Sequence, residues 1–389
     1  MAFGMSPFPL QFGTRGGGDF GLSLGGGVTI PWGQIISRYN GEAFLPAGDT
    51  FARASSGWLL ADGSTLTAFS TNVPRIAGGS VTVEGARTNF VPNGNNISTW
   101  NKRGTCAASF SSESTLLSGL QSGNNDIYTN SLTSGLSLGD PLAISLSILR
   151  VSTSNIVSLQ NSSTNTRGEW SINLASLPDE WVNTFTSMTG VTIVDPFEAY
   201  TSGVAGFLIR GSNTTQLSLR VKNLNMQAGN FSSTPIATSG GTATRAAESW
   251  ITDLGTPASV TCRARGVAAS GLAGNQVLIQ ADDGSQDDRI TARRDSSGDM
   301  IAELYAGGVE QATLNLGAVA NSSAVDVLVT CGYDAELDTN VFSARLGTDP
   351  MDAQTATGVT LPDITTGRTG CSSSAGSEWF GQIIERVWA

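Results

Sequence analysis

Histidine is absent from this 389-residue chain, and lysine occurs only as Lys102 and Lys222. The missing imidazole removes the commonest general base, the commonest zinc ligand and the Ser-His and Cys-His nucleophile pairs. Charged residues make up 14% of the chain, against about 25% in an average domain. Acidic side chains outnumber basic ones 32 to 21, and the net charge is −11. A surface so poor in cations argues against nucleic-acid binding, which needs them to neutralise phosphates. No apolar run approaches the roughly 18 residues of a membrane-spanning helix. Met1 to Leu10 carry neither the basic start nor the continuous apolar core of a signal peptide. The expectation is a soluble chain without membrane insertion. The four cysteines, Cys106, Cys262, Cys331 and Cys371, match no zinc spacing and are too few for a disulfide scaffold; they read as buried free thiols.

Glycine is abundant, at 47 residues, and Ser, Thr and Asn supply most of the polarity. This composition favours many short strands joined by turns. No segment sustains a 3.6-residue apolar period, whereas alternation is common. In Ser259–Arg265, Val260, Cys262 and Ala264 fall on one face and Thr261, Arg263 and Arg265 on the other. Val325–Cys331 and Leu142–Val151 alternate in the same way. Hairpin signals lie at Asp62-Gly63, Gly78-Gly79, Asp295–Gly298 and Gly307-Gly308. The fold class is all-β: two antiparallel, jelly-roll-like β-sandwiches preceded by a glycine-rich extended arm.

The chain is expected to divide into an arm at 1–50, a short β-rich connector at 51–88, one sandwich at 89–247 and a second at 248–389. In the arm, Phe3, Phe8, Phe12 and Phe20 are interleaved with Gly16–Gly18 and Gly25–Gly27. Glycine loses much entropy on ordering, so such an arm needs something to hold it, and spaced aromatics suit docking on partner chains. The bland reading lays it back on its own domain. Asn225–Glu248 follows a strand-like Leu217–Leu224 and is rich in small residues and turn formers, with Pro235 and Gly240-Gly241. It reads as a linker or a sheet-to-sheet crossing, with the domain break near Ala246 to Ser249.

Two segments carry a family resemblance. Glu84-Gly-Ala-Arg-Thr-Asn-Phe90, followed by Trp100, resembles the opening of a carbohydrate-binding-module-like jelly roll found in bacteriophage tail and virion proteins. Asn225-Met-Gln-Ala-Gly-Asn-Phe231, running on to Thr244-Arg-Ala-Ala-Glu248, is similar to the closing segment of the same module, with Asn225 and Gln227 where the family usually has Gln and Glu. Asp288–Gly298, Val325–Tyr333 and Phe380–Val387 resemble the concanavalin-like, laminin-G-like sandwich that often follows. The resemblance spans about residues 80 to 389; its motifs frame a fold and carry no catalytic set. It implies a virion location, other virion proteins as partners and, from the symmetry of such mounts, a closed homo-oligomer, expected as a trimer.

Candidate sites follow from residue chemistry. Trp100 and Trp181 adjoin polar segments and could offer flat faces to sugar rings, although a tryptophan in a sandwich is more often core; Trp170 and Trp388 read as core. Asp282, Asp283, Asp287 and Asp288 form the densest carboxylate group. Oxygen-rich loops can hold calcium, but this spacing is not an EF-hand, and a solvated turn explains it as well. Glu169, Asp179, Glu180, Asp195 and Glu198 supply carboxylates, yet no spacing pairs two of them as a glycosidase requires.

The expected function is a non-enzymatic phage structural protein, a tail fibre, tail tip or spike, that docks by its arm and presents sandwiches to a host cell-surface glycan. No cofactor is expected. The alternatives are a head spike or capsid-decorating protein, a purely structural connector and, in a different class, a capsular polysaccharide depolymerase.

Overall fold

The computed structural model describes residues 21–24, 28–31, 49–60, 65–77, 80–123, 125–132, 142–152, 156–162, 169–183, 191–194, 205–228, 233–268, 274–374, 377–379 and 381–388. These residues form antiparallel strands and short 3-10 turns, with no α-helix among them. The chain splits into two compact units. One takes in the described residues within Met1–Arg53, Asn72–Gly85 and Ala247–Ala389, the other those within Ala54–Thr71 and Ala86–Ala246. The phenylalanines expected to anchor the arm, Phe3, Phe8, Phe12 and Phe20, lie outside the described residues; of the arm, Gly21–Leu24 pairs with Val28–Pro31.

In the first unit, two seven-stranded sheets enclose a core that includes Trp250, Leu278, Phe342, Trp379 and Trp388. Its strands follow the alternation in the sequence. Val260, Cys262 and Ala264 are buried, while Arg263 on the outer face pairs with Asp326 of the neighbouring strand, 2.6 Å away. The Arg289–Arg294 and Asp299–Ala306 strands form the expected hairpin, whose turn is closed by Asp295 accepting from the Ser297, Gly298 and Asp299 amides. Gly307 and Gly308, with φ of 58° and 76°, make the next turn, a left-handed pair that glycine adopts without strain. Gly367 has a different role: a Cβ there would meet the Trp388 ring at 2.8 Å, so the missing side chain lets the indole lie flat on the backbone.

Residues 51–88 do not form a connector. Asp49–Ala52 pairs with Ser249–Asp253, placing Phe51 opposite Trp250 at the edge of one sheet of the first unit. Ser80–Val83 pairs with Gly381–Trp388, and Arg75–Ala77 pairs with Ser80–Val83, completing the other sheet. Gly57–Leu60 and Leu66–Phe69 pair with each other in the second unit. One sandwich is therefore interrupted in sequence by the other. Strand pattern marks each of these segments as a strand but does not encode a partner so far away in the chain.

The segments brought together in this way converge on a buried ion cluster. Arg53 Nη1 donates to Glu248 Oε1 at 2.7 Å, Arg75 grips both Glu248 oxygens at 2.8 and 2.5 Å, and a further Arg75 nitrogen reaches Glu84 Oε2 at 2.7 Å. The backbones join in: Glu84 N donates to Glu248 Oε2 at 2.8 Å, and Glu248 N to Glu84 O at 3.1 Å. Two cations balance two carboxylates, and all four residues are at most 4% exposed. Burial opposes the charge on Arg75, but Glu248 and Glu84 together hold its guanidinium above the ordinary range; at Arg53 burial outweighs the pairing and lowers it.

The second unit packs a five-stranded sheet against a six-stranded one around Leu117, Ile127, Ile144, Ile148, Ile172, Ile209 and Leu219. Leu142–Arg150 alternates in sequence, yet Ser145 and Ser147 on its outer face are as buried as Ile144, Leu146 and Ile148 on its core face. The turn-rich 233–245 stretch, expected as a linker, covers that face. Gln227 Oε1 accepts from Ser233 N and Oγ, both at 2.9 Å, and Asn225 Oδ1 accepts from Ile236 N at 3.4 Å. Asn89 fills its hydrogen-bonding capacity against Leu224 O, Ile236 O, Val91 N and Met226 N. Arg245, fully buried, donates to Thr234 Oγ1 and Ser233 Oγ. Ala243–Arg245 then pairs with Arg87–Asn89, and the chain passes to the other unit between Ala246 and Ala247. A stretch too polar to join an apolar core is held instead by a network of buried hydrogen bonds.

Two outcomes are expected. Replacing Glu248 by Ala should lower the unfolding free energy by about 3–5 kcal/mol in denaturant titrations, because Arg53 and Arg75 each lose a buried carboxylate and Glu84 is left to pair with Arg75 alone, whereas Asp179→Asn, at an exposed pair with Arg150, should leave the transition where it is. A fragment starting at residue 248 should aggregate, since it exposes the sheet edges covered by Asp49–Ala52 and Ser80–Val83. Residues 49–53, 72–85 and 247–389, joined in that order by short Gly/Ser linkers, should stay soluble and monodisperse in size-exclusion chromatography.

Candidate functional site

The outer face of the five-stranded sheet carries a hollow of about 400 Å³ lined by Ser111, Ser112, Glu113, Ser114, Leu149, Trp181, Arg220 and Lys222. Its floor is the Leu217–Ala228 strand. There Leu217, Leu219 and Val221 face the core, so Arg220 and Lys222 must face outward. Asn223, at φ 56°, interrupts the ladder and shifts the register against Leu142–Arg150. Leu149 stands directly across from Arg220. Trp181 enters from the start of the short Val182–Asn183 strand, which pairs with Ser147 and Ile148. One wall is the tight turn between Ala107–Ser111 and Ser114–Leu120, with Ser112 at φ 59°. The Lys222 ammonium sits 4.5 Å from the centre of the Trp181 ring, and Arg220 Nη1 donates to Ser114 Oγ at 3.3 Å. Hydroxyls, a half-exposed indole, two cations and one carboxylate therefore share one recess. Of these residues, the sequence singled out Trp181 alone; Arg220 and Lys222 carried no signal beyond the scarcity of lysine.

Trp100 does not join this recess. It is 5% exposed and packs in the core of the second unit, with its Nε1 donating to Pro92 O at 3.3 Å. The polar residues that suggested a surface loop are spent locally: Asn96 caps the Ile97–Thr99 turn, which directs Ile97 and Trp100 inward. Trp388 is core, as its strand context suggests, and the Trp170 side chain lies outside the described residues.

The acidic residues are also held in structural roles. Asp282 is buried and ion-paired with Arg368 at 2.7 Å. Asp283 accepts from the Ser285 hydroxyl and amide, which holds its carboxyl below the usual range. Asp287 stands near Gly308, and Asp288 accepts from the Gly307 and Asp363 amides. Among the described residues no three such groups converge on a position for a metal ion. Asp179 pairs with Arg150 and Glu180 is exposed; Asp195, Glu198 and the Glu169 side chain lie outside the described residues.

No protein-family model and no curated protein sequence matches the chain. Among solved structures, the LG4-5 domains of the mouse laminin alpha1 chain align over 78% of this chain and 88% of their own, at 10% identity and a TM-score of 0.25. A tail fibre protein of an E. coli phage aligns over 80% of this chain and 38% of its own length, at 8% identity and a TM-score of 0.19. At these scores neither likeness bears on function. The antiparallel sandwiches stand on the strand pairings themselves.

All four cysteines are unpaired; Cys262, Cys331 and Cys371 are buried and Cys106 is partly so. Burial pushes the thiols up, to about 11 for Cys106 and Cys371 and about 12 for Cys331. At pH 8 such thiols are about one part in a thousand thiolate or less, against about a quarter for an ordinary cysteine. The native protein should leave a disulfide reagent such as dithiobisnitrobenzoate unreacted over minutes at pH 8, and release four equivalents of chromophore once denatured.

Proposed function

We propose that this chain is a non-enzymatic bacteriophage virion protein, of the tail-fibre, tail-tip or spike kind, that attaches to a host-surface glycan through the second unit. The observation that carries the reading is the hollow around Trp181, where an indole and three serine hydroxyls meet on the outside of a rigid sheet. Flat apolar surface flanked by hydroxyls suits a sugar ring, whose faces are apolar and whose rim is polar. The sequence resemblance to phage virion modules supports the setting, and the absence of histidine supports binding without catalysis. The arm and the partners it implies, other virion proteins and further copies of the chain as a trimer, belong to the same proposal.

Purified protein should bind saturably to at least one member of a panel of immobilised bacterial surface polysaccharides. Trp181→Ala should weaken that binding about tenfold or more, roughly 1.4 kcal/mol, as loss of a central aromatic anchor does. Trp100→Phe, in the core, should leave affinity unchanged. Release of reducing sugar during incubation would identify a depolymerase instead, and a panel bound no better than by an unrelated β-sandwich protein would refute attachment.

A further inference from the structure

We infer that the hollow around Trp181 selects an acidic sugar, one bearing a carboxylate, and holds that carboxylate between Lys222 and Arg220. This rests on the glycan reading above and adds the ligand class.

The first observation is the electrostatic state of the two cations. Arg53, Arg75, Arg103, Arg150, Arg263, Arg293 and Arg368 each have a carboxylate within 2.7 Å. Lys222 and Arg220 have none among the described residues: the lysine ammonium meets the Trp181 ring, and the guanidinium meets the Ser114 hydroxyl. Lys102 and Arg294 also have no carboxylate there, but their charge is spent on backbone carbonyls and an amide oxygen. The second observation is burial. Lys222 is only 6% exposed, yet lines the recess. A cation removed from water without a counter-ion is costly, and contact with an aromatic face offsets only part of that cost. A ligand carboxylate would supply the rest through charge-assisted hydrogen bonds, which are stronger than neutral ones.

The third observation is the arrangement. Arg220 and Lys222 are two apart on one strand, so both point to the same side of the sheet. Ser111, Ser112 and Ser114 line the recess with them and offer hydrogen bonds to ring hydroxyls, while Trp181 and Leu149 provide apolar surface. Glu113 is the single carboxylate of the lining, leaving it with net charge +1 in a protein of net charge −11. Neutral sugars would satisfy the hydroxyls and the indole but would leave the buried ammonium as it is.

The test uses the full-length chain and matched probes, trigalacturonate and its methyl ester, together with a glycan array carrying sialylated glycans and their asialo counterparts. Acidic members of the pairs should bind at least tenfold more tightly than their neutral counterparts, and raising NaCl from 50 to 500 mM should weaken binding severalfold. Lys222→Met keeps the side-chain volume against Trp181 and should abolish the acid preference; Lys222→Arg should restore much of it, and Glu113→Gln should strengthen acid binding. Circular dichroism and thermal melts confirm that each variant is folded; should Lys222→Met not fold, Arg220→Gln carries the same test. Neutral members bound as well as acidic ones, with Trp181→Ala still disruptive, would overturn the acidic assignment and leave glycan attachment standing. An array on which nothing binds would overturn both.

Discussion

Glu248 receives hydrogen bonds from Arg53, Arg75 and the Glu84 backbone, and the architecture of the first unit converges on that carboxylate. Its partners come from segments that the sequence scatters around an interruption of more than 150 residues, from Ala86 to Ala246. Asp49–Ala52, at the edge of one sheet, and Ser80–Val83, one strand in from the edge of the other, are only four residues long, and so short a strand is weakly held by its ladder alone. Buried charge makes the arrangement specific: any register that separates one guanidinium from its carboxylate leaves an uncompensated ion out of water. Glu84 and Glu248 flank the two resemblance motifs. What reads as a family signature is thus, in part, the chemistry by which the interrupted sandwich closes.

The second unit uses a different device for a similar problem. The outer face of its five-stranded sheet is polar, and part of it is sealed by the 233–245 stretch through Asn225, Gln227, Asn89 and Arg245. Elsewhere on the same strands the face is left open, and there Arg220, Lys222 and Trp181 line a recess. Cover and recess share the Leu217–Ala228 strand, whose register shifts at Asn223 between the two.

Much of this was legible in the sequence because it is local. Alternation in Val260–Val267 and Ala324–Asp334, and the turns at Asp295–Gly298 and Gly307-Gly308, require only neighbouring residues, and the structure shows them as expected. The all-β class follows from the same period-two pattern and the want of helical periodicity. The inward turn of Trp100 was not legible: the asparagines around it suggest solvent, but Asn96 caps the Ile97–Thr99 turn, Asn93 Oδ1 accepts from Gly240 N and Asn95 Oδ1 accepts from Asn223 N. Nor was the cover, since small polar residues look alike whether they line a linker or lie in a buried hydrogen-bond network.

The sequence by itself determined the strands, the turns and the exclusion of imidazole chemistry, because these depend on residue type and spacing over a few positions. Tertiary structure decided which strands share a sheet, that residues 51–88 divide between two units, and that Lys222, Arg220 and Trp181 meet in one recess. Those outcomes depend on pairing across long separations, where a β pattern specifies the face of a strand but not its neighbour. Lys222 becomes informative only once its burial in the recess and its contact with the Trp181 ring are visible.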